Sequence, residues 1–387
     1  MNINQDFIAK MQDAARLLQT EGPMAATAAV QRALHGAAPA NAASPFAHQA
    51  PVDNIVDINP AFNEAVNAQA SPRKVFAGLA QRLRAGMGNH VVEDAEDVAT
   101  ASADPLKGKF LNLSCTAPAG TRAYKLYIPS TYAGEAAPLV VMLHGCKQNP
   151  DDFAAGTGMN ALAEEQGCLV VYPAQAKNAN GSNCWNWFQA GDQKRDRGEP
   201  SIIAAITQQV MRDYKVDPAR VYVAGLSAGG AMAAILASEY PDLYKAAGIH
   251  SGLPTGAAND VASAFAAMSN GAANSALKAK NGAPVPVIVF HGDRDKTVHP
   301  QNGHQVLSQQ GGTQAGAATT EKGSAPNGRS YTRAVHRTTS GKLTAEHWTV
   351  HGSGHAWSGG SKRGSYTDPK GPDASREMLR FFSETGK

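Results

Sequence analysis

The sequence predicts an α/β fold, in which helices cover both faces of a mostly parallel β-sheet, together with a helical N-terminal extension. From about residue 108, short runs of apolar and β-branched residues alternate with segments of helical periodicity, and this alternation is typical of a parallel sheet. A second observation is local: the apolar run at residues 221–226 leads into Gly-x-Ser-x-Gly, and a helix of small residues follows. We therefore expect a ligand site at the carboxyl ends of the strands.

Each predicted element rests on its hydrophobic pattern. Strands are predicted where apolar residues run together, at residues 122–128, 139–143, 169–172, 220–226, 246–249 and 285–290. Helices are predicted where apolar residues recur at helical spacing, at residues 152–166, 201–214, 302–310 and 373–384 and directly after Ser227. A hairpin turn is predicted at Ser340-Gly341.

The first 107 residues are predicted to form a helical or irregular extension, and residues 108–387 the α/β domain. Apolar residues fall near one helical face between residues 7 and 18, a second helix is predicted from Pro23, and residues 35–73 show no clear period. We expect this extension to pack on the α/β domain. A cap over the site, a dimer contact and a membrane-surface helix are the alternatives.

Composition narrows the function classes. The 387 residues allow one or two domains, and 35 basic against 32 acidic residues give a net charge of only +3. No Arg/Lys run marks a nucleic-acid site, and no apolar run approaches the roughly 20 residues that cross a bilayer.

The N-terminus lacks a basic region followed by an apolar run, so a cytoplasmic location is expected, with an extracellular or periplasmic one as the alternative. The oligomeric state is left open.

The motif at residues 225–229 has the form of the nucleophile elbow of an α/β-hydrolase. Ser227 stands between a strand and a helix, where a sharp turn exposes its hydroxyl group, and is the predicted nucleophile. Gly225 and Gly229 lack side chains where that turn would otherwise collide with neighbouring backbone. The helix that begins at Ala228 presents free N–H groups to a developing negative charge. We therefore predict the Ala228 N–H as one oxyanion donor.

In this fold an acidic residue follows the nucleophile in the chain. The strand predicted at residues 285–290 ends in His-Gly-Asp-Arg-Asp. We predict Asp295 as the orienting acid because it lies past the turn, and Asp293 as a residue that braces that turn. The alternative is that both are ordinary turn residues.

The base comes last in the chain, and His355 is the predicted base because it lies in a glycine-rich loop. His347 and His351 are alternatives, but they belong to a strand-like run that fixes them to a face of the sheet. A zinc site built from His351 and His355 would need a helix between them. The intervening glycines argue against that helix, so no metal is predicted.

The second oxyanion donor is predicted in the loop after the strand at residues 139–143. That loop begins His144-Gly145-Cys146, and we assign the second donor to the Cys146 N–H. Cys146 as a nucleophile is the alternative, but Ser227 already has the elbow and its partners.

Several segments, taken together and in order, carry a family resemblance. They are His144-Gly145-Cys146 and residues 183–188, 216–230, 290–295 and 354–357. They resemble esterases of the polyhydroxybutyrate (PHB) depolymerase family, which are relatives of feruloyl and acetylxylan esterases. The resemblance covers roughly residues 110–385. It implies an α/β-hydrolase fold and hydrolysis of carboxylic esters by a triad of Ser227, Asp295 and His355, without metal or organic cofactor.

The expected substrate is a small or oligomeric ester. Secreted polymer depolymerases of the family carry a signal peptide and a polymer-binding module, and neither is recognised in this sequence. Short-chain esters and 3-hydroxybutyrate oligoesters are therefore expected rather than solid polymer. The alternatives are a feruloyl or acetylxylan esterase, a serine peptidase, and a non-catalytic binding protein with a hydrolase-like fold.

Cysteines and aromatic residues add expectations near the site. Cys146 and Cys184 lie in the family-like segments, so we expect a disulfide between them, with reduced, part-buried thiols as the alternative.

Three tryptophans and a histidine are predicted to line the substrate pocket: Trp185, Trp187, Trp357 and His144. The alternative is that the tryptophans are core residues.

Overall fold

The computed structural model describes residues 107–273, 284–310, 318–326 and 328–385. The extension predicted for residues 1–107 therefore lies outside the described residues, except for residue 107. In the part of the chain that is described, no helix combines the length and the hydrophobicity that a bilayer crossing needs.

One sheet dominates the described residues, with strand order β1-β2-β4-β3-β5-β6-β7-β10-β9-β8. Its strands are β1 (Lys109–Ala117), β2 (Gly120–Ile128), β3 (Ala137–Leu143), β4 (Leu169–Pro173), β5 (Val216–Leu226), β6 (Ala246–His250), β7 (Val287–Gly292), β8 (Thr319–Ser324), β9 (Ser330–Arg337) and β10 (Leu343–Val350). Six neighbouring strands run parallel to one another: β4, β3, β5, β6, β7 and β10. The strands at both edges of the sheet pair antiparallel. The sheet is therefore mostly parallel, as the alternating pattern predicts.

Helices lie between the strands of this sheet, and one more follows the last strand. They are α1 (Pro150–Thr157), α2 (Met159–Gln166), α3 (Gly198–Asp213), α4 (Ala228–Glu239), α5 (Val261–Asn270), α6 (Gln301–Gln309) and α7 (Ala374–Thr385). Strands β4, β6 and β7 are buried at every residue. Because successive side chains of a strand point to opposite faces, the middle of the sheet is covered on both faces. Two short strands, β11 (Trp357–Ser358) and β12 (Thr367–Asp368), form a separate pair.

Two differences from the predicted elements have local causes. The helix predicted over residues 152–166 is broken at Gly158, whose φ of 65° ends α1 and precedes α2; glycine adopts this left-handed conformation without steric cost. Strand β8 was not predicted because its sequence, TTEKGS, has no apolar alternation, and its residues are mostly exposed at the sheet edge.

The register of the sheet brings the ends of five strands together. Leu143 pairs with Gly225, Leu226 pairs with His250, and Val350 pairs with Gly292. The loops that follow β3, β5, β7 and β10 therefore leave the same edge of the sheet. The candidate residues follow these strands, so the parallel sheet gathers them at its carboxyl edge.

Candidate active site

Ser227 occupies a strained turn between β5 and α4. Its φ of 58° and ψ of −119° lie outside the regions that most non-glycine residues adopt. Its backbone N–H donates to the carbonyl of His250 at 2.9 Å, which ties the turn to the end of β6. A side chain at Gly229 would overlap the Leu143 carbonyl, and one at Gly225 would overlap Gly229. The glycines thus allow the close approach of backbone that holds Ser227 in this conformation.

His355 and Asp295 form a hydrogen-bonded pair. The distance from His355 Nδ1 to Asp295 Oδ2 is 2.7 Å, and the Asp295 side chain is fully buried. The other carboxylate oxygen, Oδ1, accepts hydrogen bonds of 2.9 Å from the backbone N–H groups of Thr297 and Val298. With Nδ1–H donating to the carboxylate, Nε2 of a neutral imidazole keeps its lone pair for proton transfer.

The charge state of Asp295 follows from its neighbours. Burial alone raises the pKa of this carboxyl group, but the rings of His355 and His291 outweigh burial and hold the pKa well below its ordinary value. The Nε2 atom of His291 lies 3.5 Å from Asp295 Oδ2 and 2.8 Å from the Val298 carbonyl. Asp295 is therefore a carboxylate at neutral pH.

Asp293 faces a different histidine. Its carboxylate lies 2.9 Å from His351 Nδ1 and accepts a 2.7 Å hydrogen bond from the Gly352 N–H. His351 and Gly352, the two partners of this carboxylate, begin the loop that carries His355. Asp293 thus braces that loop and not the turn after β7 for which it was predicted, while Asp295 contacts His355 itself.

The loop after β3 lies beside Ser227. A Cβ built on Gly145 would lie 3.6 Å from the Cβ of Ser227. The Gly145 N–H donates to Gln148 Oε1, and the Gln148 N–H donates back to the Gly145 carbonyl. The Lys147 N–H donates to the Ser182 carbonyl.

Among residues 145–148, all of which the structure describes, Cys146 has the one N–H group without an acceptor. The N–H of Ala228, the first residue of α4, likewise has no acceptor within its helix. These are the two donors that the sequence predicts for an oxyanion hole, and they belong to segments that adjoin at Ser227.

A disulfide joins Cys146 to Cys184, and the remaining two cysteines, Cys115 and Cys168, are buried and free. The bridge ties the loop after β3 to the segment that contains Trp185 and Trp187. It therefore constrains the backbone at Cys146, where the unpaired N–H group lies.

Replacing Cys184 with serine is expected to lower both stability and kcat. The disulfide closes a loop with a sequence separation of 38 residues. By restricting the unfolded chain, such a cross-link raises the free energy of unfolding by about 4 kcal/mol, and the variant loses this contribution. Loosening Cys146 should lower kcat by about tenfold, less than the loss of a whole oxyanion donor. The measurements are a peptide map under non-reducing conditions, thermal unfolding and kcat, with Cys115→Ser as the control. Alkylation of both cysteines without prior reduction would rule out the bridge.

The aromatic residues predicted to line the pocket are core residues instead. Trp357 is 1% exposed, stacks on His250 and donates its indole N–H to Ser375 Oγ. Trp185 is fully buried and donates its indole N–H to the His144 carbonyl. Trp187 is buried as well. Their predicted role as pocket-lining residues is therefore corrected. A position close to a site residue in the sequence does not show whether a side chain points towards the site or into the core.

His144 also differs from its predicted role in binding substrate. Its ring is 1% exposed, with Nδ1 2.8 Å from the Gly145 carbonyl and Nε2 accepting from the Gln175 N–H at 3.1 Å. Burial lowers the pKa of His144 to about 4, so the ring is neutral. Both nitrogens are engaged with the protein, and His144 supports the loop after β3 rather than facing a ligand.

Sequence reasoning missed His250, which connects two parts of the site. Its carbonyl accepts from the Ser227 N–H, and its ring Nε2 accepts from the Ser358 N–H at 2.9 Å. Burial lowers the pKa of His250 to about 3, which keeps this acceptor neutral. His250 thus links the elbow to the segment that follows His355. No local motif marks it, because its partners come from distant parts of the chain.

Comparison with known proteins identifies the family and the fold of the chain. A model of the family described as "Esterase PHB depolymerase" matches residues 122–322, more than half of the chain. The acetyl xylan esterase from Aspergillus awamori superposes with a TM-score of 0.58 at 19% identity, covering 71% of this chain and 99% of that one. The two share a fold, and the predicted α/β-hydrolase class is confirmed.

Curated relatives share part of their length with this chain. Poly(3-hydroxyalkanoate) depolymerase C of Paucimonas lemoignei is 32% identical over 250 residues, which cover 62% of this chain and 59% of that protein. Probable acetylxylan esterase A of Aspergillus fumigatus is 28% identical over 211 residues, 50% of this chain and 56% of that protein. Feruloyl esterase B of Neurospora crassa is 32% identical over 137 residues, 35% of this chain and 45% of that protein. The chain thus spans less than two thirds of the length of these relatives.

Proposed function

The chain belongs to the esterase PHB depolymerase family, and on that premise we propose that it is a serine esterase that hydrolyses carboxylic esters through an acyl-enzyme. The observation that carries the proposal is the combination of Ser227 in the strained elbow with the His355–Asp295 pair. A serine held in a sharp turn, a histidine whose Nε2 keeps its lone pair and a buried carboxylate behind that histidine are the parts that serine acyl transfer requires.

In the first half of the reaction, Ser227 Oγ attacks the ester carbonyl carbon while His355 Nε2 takes the hydroxyl proton. The carbonyl oxygen gains the negative charge and accepts hydrogen bonds from the N–H groups of Ala228 and Cys146. Asp295 holds the imidazole in the required tautomer and stabilises its cation. When the tetrahedral species collapses, the ester C–O bond breaks and His355 gives the proton to the leaving alcohol.

In the second half, water attacks the acyl-enzyme. His355 Nε2 takes a proton from the water, and the same two N–H groups stabilise the second oxyanion. The Ser227–acyl bond then breaks, His355 returns the proton to Oγ, and the carboxylic acid leaves. Every proton in this cycle passes through one nitrogen atom.

The substrate class that we propose is a short-chain or 3-hydroxybutyrate-type oligoester. The support is the 32% identity over 250 residues to a protein named poly(3-hydroxyalkanoate) depolymerase C, a longer shared segment than the 211 residues shared with an acetylxylan esterase. The alternative is an acetylxylan or feruloyl ester of plant cell walls, for which the named esterases of those classes are the support.

A panel of substrates tests the proposal. We expect p-nitrophenyl butyrate and soluble 3-hydroxybutyrate oligomers to be hydrolysed faster than acetylated xylan, methyl ferulate or a crystalline polymer film, and a fluorophosphonate to abolish all turnover. Labelling is expected at Ser227, with Ser330→Ala as a matched variant that keeps it. Faster turnover of the cell-wall esters would favour the alternative, and faster cleavage of a dipeptide amide than of esters would indicate a peptidase. Absence of both turnover and labelling would contradict a catalytic function.

A further inference from the structure

Glu199 is a buried carboxylate that the proposed reaction does not use. It lies in the first turn of α3 and is 4% exposed. Asn186 donates to it twice, from its backbone N–H and from Nδ2, each at 2.7 Å, and Gln175 Nε2 donates a third hydrogen bond. The Arg122 guanidinium lies 3.9 Å away. A carboxylate is an acceptor only, so it satisfies all of these donors at once.

One route of contacts leads from Glu199 to the oxyanion loop, defined here as residues 144–149, through the disulfide. Asn186, which Glu199 holds by two hydrogen bonds, is two residues from Cys184. Gln175 Nε2, which donates to Glu199, also donates to the Cys184 carbonyl at 2.8 Å. Cys184 is covalently bonded to Cys146, whose N–H group is the proposed oxyanion donor.

A second route runs through His144. The backbone N–H of Gln175 donates to His144 Nε2 at 3.1 Å, and Trp185, between Cys184 and Asn186, donates its indole N–H to the His144 carbonyl at 3.1 Å. Both routes therefore start at Glu199 and end within the oxyanion loop, one at Cys146 and the other at His144.

We propose that Glu199 is a positioning residue whose carboxylate fixes the segment around Cys184 and thereby holds the Cys146 N–H in place for the oxyanion. The inference rests on the proposed serine esterase function. Glu199 acts through Gln175, Asn186 and the disulfide and does not touch the reacting atoms.

The surrounding amides cannot adapt to a glutamine at position 199. The Asn186 Oδ1 atom is fixed by a 2.9 Å hydrogen bond from Asn180 Nδ2. The Gln175 Oε1 atom accepts from the Ala176 N–H at 3.0 Å, while its Nε2 faces the Cys184 carbonyl. Neither amide can flip without losing these contacts. A glutamine offers one acceptor oxygen to three donors, so at least one donor would face an NH₂ group.

Charged and titratable groups face Glu199 from several elements. Arg122 approaches from β2 with its guanidinium. Asp192, from the short 3₁₀ turn at Ala190–Gln193, accepts from the Glu199 N–H at 2.7 Å. His144 lies beyond Gln175 and is neutral. Burial, together with the nearby Asp192, raises the pKa of Glu199 to about 7. Glu199 therefore becomes more fully ionised as the pH rises through neutrality, and protonated as it falls.

The test compares Glu199→Gln with Glu164→Gln as the matched control. Glu164 also accepts from a backbone N–H and a side chain of other segments, Ser130 and Tyr127, but contacts no residue of the oxyanion loop. At about pH 8, E199Q is expected to lower kcat by about tenfold to 100-fold with KM nearly unchanged, because a misplaced oxyanion donor acts in the transition state. E164Q is expected to keep the wild-type kcat.

A pH series adds a readout that a purely structural role would not change. The ratio of the E199Q kcat to the wild-type kcat should rise towards one between about pH 8 and about pH 6, because protonation removes the wild-type carboxylate. Any pH dependence that the two proteins share cancels in this ratio.

Folding is checked by thermal unfolding and by mapping the disulfide. A folded E199Q with the wild-type kcat at the higher pH would overturn the inference, as would a loss of stability without a change in kcat. If E199Q does not fold, Asn186→Ala replaces it: a several-fold lower kcat supports the inference and an unchanged one overturns it. Turnover by the wild-type enzyme tests the proposed function separately, so an active wild type with an unaffected variant contradicts this inference alone.

Discussion

Replacing Ser227 with alanine is expected to lower kcat for ester hydrolysis by on the order of 10⁶-fold, the effect of removing the nucleophile from a serine triad. The substitution keeps Cβ, so the backbone constraints of the elbow stay the same, including the φ of 58°. The hydrogen bond from the residue 227 N–H to the His250 carbonyl involves backbone atoms only and should persist. The fold should therefore survive while the attacking oxygen is lost.

The measurement is kcat on p-nitrophenyl butyrate for S227A and wild type purified side by side, with thermal unfolding as the check on folding. Ser330→Ala, on the exposed side of β9, is the control and should retain full activity. Retention of more than a few per cent of wild-type activity by a folded S227A would mean that another residue is the nucleophile. We expect the residual rate of S227A to stay above that of hydrolysis in water, because the oxyanion donors of a triad enzyme still accelerate hydrolysis after the nucleophile is removed.

The sequence was sufficient to predict how the fold gathers the candidate residues. Strands β3 and β7 are short, largely apolar runs, β5 ends in one, and β10 mixes apolar with polar residues. Each is followed by a polar or glycine-rich loop. Chain order then distinguishes the roles of nucleophile, acid and base. Asp295 rather than Asp293 contacts His355, and the two carboxylates are only two residues apart. That choice was predictable because a turn separates the two positions.

The supporting contacts could not be predicted from the sequence. The Gln175 amide meets Glu199 and the Cys184 carbonyl only because the loops after β4 and before α3 fold back on the oxyanion loop. A lone glutamate near the start of a helix carries no sign of burial, since the first turn of a helix is an ordinary place for it. The prediction that Trp357 lines the pocket was wrong for a related reason. Trp357 adjoins the loop of His355 in the sequence, but its ring points into the core.

Replacing Asp295 with asparagine is expected to lower kcat by about 10⁴-fold, the size of the effect when the orienting acid of a serine triad becomes an amide. The structure gives a specific reason. The Thr297 and Val298 N–H groups both donate to Oδ1, so they will hold the single carbonyl oxygen of the asparagine. Its NH₂ group must then face His355 Nδ1, which becomes an acceptor. The proton moves to Nε2, the atom that has to receive the proton of Ser227.

Asp293→Asn is the matched control, because it makes the same chemical change two residues away. The His351–Asp293 pair is 40% and 38% exposed, and an exposed pair of this kind contributes little. We expect D293N to lower kcat by less than about tenfold, through a looser start to the loop that carries His355. Comparable losses in the two variants would indicate that the loop as a whole, and not the tautomer of His355, sets the rate. A larger loss in D293N would transfer the orienting role to Asp293 and make His351 the base, since each carboxylate has its own histidine partner.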